Sequence, residues 1–202
     1  MKMTVLLPAI LAAYLIGSFP TALLYSRLRG RADIRALGDG NMGARNTRRH
    51  FGMRAGVLVA VVDILKGLLA VMLADLAGLP LGGQMLAGAA AILGHDFPLF
   101  AGFKGGQGFA ATTGVFLYLF PLPALLGLAI YFTVYALTRS SDLGAGLAMG
   151  QLFLYEIFTG APLLTLVYIV GVLLFVPLKK WLDSPRRREL AENAREESAP
   201  GG

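Results

Sequence analysis

Two glycine-rich, cation-bearing stretches hold most of the polar chemistry in this sequence. The first reads GDGNMGARNTRR over Gly38–Arg49. Glycines at 38, 40 and 43 let successive backbone N–H groups turn toward an anion. Asn41 and Asn46 add neutral donors, and Arg45, Arg48 and Arg49 add guanidinium groups that can grip a phosphate in bidentate fashion. A plain turn followed by topology-setting arginines would explain the arginines alone. Three glycines interleaved with two asparagines favour an anion site. The second stretch reads GHDFPLFAGFKGGQG over Gly94–Gly108. Lys104 followed by Gly105 and Gly106 sets a point cation beside permissive backbone, and Gln107 and Gly108 continue the loop. The spacing is not that of a Walker P-loop. His95 has the chemistry to orient a hydroxyl or move a proton; taken alone, capping backbone carbonyls is its simpler role.

Two further polar features fall inside apolar runs. Asp63 and Lys66 are three residues apart, so they share a helical face and can partly neutralise each other, most simply as a structural pair reaching a basic loop. Glu156 stands alone and reads as a side chain that snorkels to an interface. There is no cysteine, which removes disulfides, zinc–thiolate sites and thiol nucleophiles.

The elements that must position these residues are membrane helices. Of 202 residues 56% are hydrophobic and 15% charged, with a mean hydropathy of +0.66. An average soluble domain is about a quarter charged. Apolar runs cover roughly 4–26, 55–77, 83–100, 109–120, 122–138, 143–159 and 162–178, with Pro121 and Pro123 interrupting a stretch too long for one span. The spacing therefore predicts an all-α, polytopic helical bundle of about seven transmembrane helices, several of them short enough to be tilted or half-length. Residues 1–183 form a single membrane domain. Residues 184–202 are a charged tail, read as an interfacial helix fraying into a flexible end. Met1–Tyr25 begins like a signal peptide, with Lys2 before an apolar core, but no small-residue cleavage site leading into a soluble domain follows, so it reads as a retained first helix.

Net charge is +6, and the excess is local: eight arginines against Asp33 and Asp39 over 27–54, and a basic tail from Lys179. Because these segments flank apolar ones, lipid head groups and the positive-inside bias account for them, and no nucleic-acid partner is expected. Basic connections (27–54, 95–108, 138–142, the tail) alternate with neutral ones (78–82, 120–123, 159–162). That order predicts an outside N-terminus, a cytoplasmic C-terminus, and both glycine-rich stretches on the cytoplasmic side. An anionic substrate at a membrane surface points to phosphate, with a lipid as one reactant.

In their order and spacing, Gly17–Ser18, Asp33–Arg35, GDGNMGARNTRR, Asp63–Gly67 (DILKG) and GHDFPLFAGFKGGQG resemble the bacterial membrane acyl-phosphate:glycerol-3-phosphate acyltransferases of the PlsY type. The likeness covers most of the chain to about residue 150. It implies a multi-pass enzyme of the bacterial cytoplasmic membrane, active on its cytoplasmic face. The reaction moves a fatty acyl group from acyl phosphate to the 1-hydroxyl of glycerol 3-phosphate, giving lysophosphatidic acid for phospholipid synthesis. It implies no metal and no cofactor. Its partners would be the two substrates, membrane lipids and the soluble enzyme that supplies acyl phosphate.

Carried onto this chain, the resemblance makes His95, Lys104 and Asn46 the catalytic candidates. Asn41, Arg45, Arg49, Lys104, Gly105, Gly106, Gln107 and Gly108 become the phosphate-binding set. The sequence departs from the family pattern at four places. Asp39 stands at a usual serine, Arg45 at a usual threonine and Gln107 at a usual second lysine. SSDLGAG offers Asp142 and Ala145 where two serines three apart are usual. The family's Asn and His positions near the C-terminus have no clear match in KKWLDSPRRRE. The two added carboxylates would repel phosphate unless paired, with Arg45 and Arg139 the expected partners. Readings that stay open are a paralogue acylating another phosphorylated polyol, a non-catalytic phosphate- or lipid-binding protein, and a carrier. No internal repeat supports a carrier.

Overall fold

The computed structural model describes residues 3–30 and 32–198, with side chains placed as far as Glu192. Ten α-helices follow one another: α1 Met3–Gly17, α2 Thr21–Leu28, α3 Ala44–Phe51, α4 Met53–Leu76, α5 Leu81–Asp96, α6 Phe109–Leu119, α7 Pro121–Thr138, α8 Ser141–Phe158, α9 Leu163–Leu182 and α10 Ser184–Ser198. Two 3₁₀ turns, Ile34–Ala36 and Leu99–Ala101, sit in the long connections. No strand occurs among the described residues.

Each apolar run of the sequence is helical, with two refinements. The first run is split into α1 and α2 around Pro20, which has no N–H to offer a continuous helix. The interruption at Pro121 falls where α6 gives way to α7. Among the described residues four stretches are long and apolar enough to cross a membrane: Met3–Leu28, Met53–Leu76, Pro121–Thr138 and Leu163–Glu192. The charged tail expected to fray over 184–202 is helical as far as Ser198; residues 199–202, and Lys2 of the signal-peptide alternative, lie outside the described residues.

The packing is of the membrane kind. Val71, Met85, Ile92, Val115, Phe116, Met149, Leu152 and Ile169 are buried together, while Leu65, Leu73, Phe132 and Leu174 are exposed on the outside of the bundle, where lipid would cover them. Helix α6 has 11 residues and is therefore only about 16 Å long, half the roughly 30 Å of hydrocarbon. It crosses α4 near the middle of that helix. Gly67 lies against the carbonyl of Ala111 and Gly114 against the carbonyl of Ile64, and neither place has room for a Cβ. The glycine-rich loop that precedes α6 is therefore set beside the middle of α4, recessed from its ends.

Candidate active site

The connection between α2 and α3 is a folded loop. Asp33 caps the first 3₁₀ turn by accepting from the Arg35 N–H at 2.9 Å, and the Arg35 guanidinium returns to the Asp33 carboxylate at 2.6 Å. That hydrogen bond holds the Asp33 carboxyl below its ordinary range. The same guanidinium donates to the carbonyl of Ala101 at 2.8 Å, tying this loop to the second 3₁₀ turn. Gly38 and Gly40 both take left-handed backbone, φ +58° and +65°, as a loop doubling back on itself requires.

Asn46 is fully buried, and its Nδ2 donates to the carbonyls of Leu37 (2.9 Å), Asn41 (3.1 Å) and Ile34 (3.3 Å). The side chain expected to act on substrate is thus engaged in folding the loop. Asn41 is also buried, with its own Oδ1 unpartnered.

The second loop packs on the first. The Met42 N–H donates to the carbonyl of Gly105 at 3.4 Å, and the Gly106 N–H donates to the carbonyl of His95 at 3.1 Å. A Cβ at Gly106 would strike the His95 ring, and one at Gly105 would strike the carbonyls of His95 and Asp96. The expected phosphate cradle is therefore only in part an open set of N–H groups: the Gly106 donor is committed to α5, and the two glycines are required by close contact. Gly108, at φ +75°, leads into α6 beside the Asp96 carboxylate. Both Asp96 oxygens and the Gln107 amide nitrogen are buried without a partner, which leaves polar capacity at the start of α6 for water or a ligand.

A narrow cleft opens between these loops and α4. Its polar lining is Thr21, Asp63, Lys66 and His95, with Phe19 and Gly106 beside them. Asp63 Oδ1 lies 2.9 Å from Lys66 Nζ, accepts from the Thr21 hydroxyl at 3.1 Å, and sits 3.6 Å from His95 Nδ1, just beyond hydrogen-bond length. Lys66 also donates to the carbonyl of Phe19 at 3.1 Å. The Asp63–Lys66 pair was expected to bridge to a basic loop; it joins instead the α1–α2 break to His95. Thr21 and Lys66 were not among the residues anticipated for a site. The signal was present in an acid and a base within one apolar helix, which burial makes costly unless they are used together.

The exposed cations are arranged differently. The Lys104 side chain is solvent-facing, and no ion pair joins it among the described residues. Arg45 Nη2 lies 3.1 Å from Asp142 Oδ1, and Lys180 Nζ lies 2.6 Å from Asp142 Oδ2. Arg49 lies 3.9 Å from Asp39. Both added carboxylates are paired as expected, and of the expected partners Arg45 is one: Asp142 takes Arg45 and Lys180, while Asp39 takes Arg49 and Arg139 holds neither. Arg48 donates to the Tyr135 hydroxyl at 3.0 Å.

Three residues beyond Gly106, the side of α6 changes character. Phe109, Thr112, Phe116, Tyr131, Met149 and Leu152 line an apolar pocket between α6, α7 and α8. Tyr131 stacks on Tyr135, whose hydroxyl accepts from Arg48, and its carbonyl lies against Gly144, two residues beyond Asp142, which sets the charged patch at one end of that pocket.

A family model described as glycerol-3-phosphate acyltransferase matches residues 7–185. Among curated relatives, glycerol-3-phosphate acyltransferase 4 of Dehalococcoides mccartyi is 38% identical over 179 residues, covering 89% of this chain and 97% of the relative. The glycerol-3-phosphate acyltransferase of Pseudomonas fluorescens is 46% identical over 136 residues, 67% of this chain and 72% of the relative. The crystal structure of PlsY, an integral membrane glycerol 3-phosphate acyltransferase, in its glycerol 3-phosphate form, superposes with a TM-score of 0.80 at 28% identity, covering 98% of this chain and 96% of that one. Its lysophosphatidic acid form superposes with a TM-score of 0.79 at 29% identity, over 90% of each chain.

Proposed function

The chain belongs to the glycerol-3-phosphate acyltransferase family and is a multi-pass membrane acyltransferase, and from there we propose that its donor is an acyl phosphate, its acceptor glycerol 3-phosphate and its product lysophosphatidic acid. The observation that carries this reading is the junction at the start of α6, where two interlocked polar loops meet an apolar pocket. A reactant with a phosphate head and a fatty tail needs both. The acyl chain lies among Phe109, Phe116 and Met149, and the reacting carbonyl sits near Gly106–Gly108.

The chemistry demands little covalent participation from the protein. The acceptor hydroxyl oxygen bonds to the acyl carbon, the acyl–phosphate C–O bond breaks, and the hydroxyl proton leaves for the departing phosphate or for His95. Holding both reactants and meeting the charge that develops on oxygen are the protein's tasks. Lys104, exposed and free of an ion pair among the described residues, meets one phosphate, assisted by Gly105, Gln107 and Gly108. Arg45, Arg49 and Asn41 face the other. His95 turns Nδ1 toward Asp63 and Nε2 toward the loop at Gly106, and it serves to orient or relay a proton. Asn46 acts as a positioning residue for this set. The soluble enzyme that makes acyl phosphate is the supplying partner.

The enzyme lies in the bacterial cytoplasmic membrane with seven membrane segments, α1 with α2 counting as one and α6 as a half-length one, and with both loops on the cytoplasmic side. Reporter fusions after Gly78 and after Arg186 should then report opposite sides. The activity is tested by incubating purified protein in lipid with palmitoyl phosphate and a panel of phosphorylated polyols. Mass spectrometry should find acylated glycerol 3-phosphate; acylation of a different polyol alone would replace this acceptor.

A further inference from the structure

We propose that Asp142 is an internal counter-anion, seated between Arg45 and Lys180, which the phosphate of the acceptor must displace in order to bind. The proposal rests on the acyltransfer reading above and names what sets its acceptor affinity.

Three cationic side chains from two elements gather on this face. Arg45 and Arg49 are one turn apart on α3 and so share a side of that helix. Lys180 comes from the last turn of α9. Asp142, in the first turn of α8, presents one oxygen to Arg45 at 3.1 Å and the other to Lys180 at 2.6 Å. A carboxylate bridging two cations through separate oxygens holds the place a phosphate would take, with the same acceptor chemistry and one charge fewer. Asp39 stands beside Arg49 more loosely, at 3.9 Å. Arg48 lies on the same helix and is turned to the Tyr135 hydroxyl, so the patch stays cationic, and each carboxylate on it lowers its pull on a dianion.

The bridge is built to exchange. Asp142 is 59% exposed, Arg45 36% and Lys180 38%, and ion pairs this wet contribute little to stability. Asp63–Lys66, by contrast, is almost wholly buried. Asp39 and Asp142 also occupy two of the positions where the sequence departs from the serines usual in the family it resembles, so both departures deliver a carboxylate to cations facing the acceptor. A bridge that merely tied α3 to α8 and α9 would not need to lie open to water at the charged end of the apolar pocket.

The test uses the full-length protein in lipid nanodiscs, as wild type, Asp142→Asn and Asp142→Ser. Calorimetric titration with glycerol 3-phosphate should show both variants binding about three- to tenfold more tightly than wild type at low salt. The gain should shrink at high ionic strength as the patch is screened. In acyl transfer from palmitoyl phosphate the change should fall on KM for glycerol 3-phosphate rather than on kcat, and Lys180→Ala should move KM the other way. Unchanged or weaker binding by both Asp142 variants overturns the proposal and makes the bridge a structural tie. Absence of glycerol 3-phosphate binding in all three proteins overturns it as well. A wild type that binds glycerol 3-phosphate but forms no lysophosphatidic acid fails the acyltransfer reading alone, and the titration still decides the role of Asp142.

Discussion

The Lys66 ammonium lies 2.9 Å from the Asp63 carboxylate, with both side chains almost completely withdrawn from solvent. Each ion would be costly alone at that depth, and together they line the cleft beside His95. Lys66→Met should leave Asp63 with only Thr21 and His95 beside it, and should destabilise the protein by about 3–5 kcal/mol. Adding Asp63→Asn should recover much of the loss. Unfolding temperatures in detergent measure both; a single Lys66→Met variant as stable as its parent would show that the pair does not hold the bundle together.

Lys104 makes the opposite case. It is exposed and unpaired among the described residues, so Lys104→Ala should leave the unfolding temperature where it was. If the ammonium meets a substrate phosphate, kcat/KM should fall by a factor equivalent to about 2–4 kcal/mol. A folded variant with parental kinetics would remove Lys104 from the site.

Gly106 and Gly146 separate contact from composition. A methyl group at Gly106 would collide with the His95 ring, whereas Gly146 has open space around it. Gly106→Ala should push the loop off α5 and reduce acyl transfer about 100-fold or more, because reactants displaced by an ångström lose most of the benefit of positioning. Gly146→Ala should leave the rate alone. Equal behaviour of the two would mean that the Gly106–His95 approach has no part in catalysis.

Asp33 predicts a pH dependence. Its carboxyl is held below the ordinary range by the Arg35 hydrogen bond, so the contribution of the pair is fully present above the unfolded carboxyl value of about 4 and disappears as pH falls through the lower folded value. Wild type should therefore exceed Asp33→Asn in stability at pH 6, by less than about 1 kcal/mol for so solvent-exposed a pair. The gap should narrow as pH falls below about 4. A gap that does not narrow at all on acidification would place the effect in the backbone cap rather than in the charge. Activity should follow, because Arg35 also holds Ala101 of the second loop.

Much of this molecule is a local property of its sequence. Hydropathy over some twenty residues, prolines at 121 and 123, and glycines at 38, 40 and 108 locate the helices, one of their breaks and the two loops, because each of these acts on backbone within a few residues of itself. The family likeness was carried by the same contiguous stretches. Side-chain partnership is decided by how helices lean on one another, and no window of sequence contains that. Arg139 is three residues from Asp142, yet the carboxylate is taken by Arg45, 97 residues away, and by Lys180, 38 residues away, since α3 and the end of α9 both meet the first turn of α8. Asn46 has the same residue type whether its amide faces a phosphate or three loop carbonyls, and only the packed loop turned it inward. Lys66 looked like half of a structural pair until the α1–α2 break and the end of α5 were folded against it. That packing makes it a wall of the cleft, because a buried ammonium must be met by whatever acceptors the neighbouring helices bring.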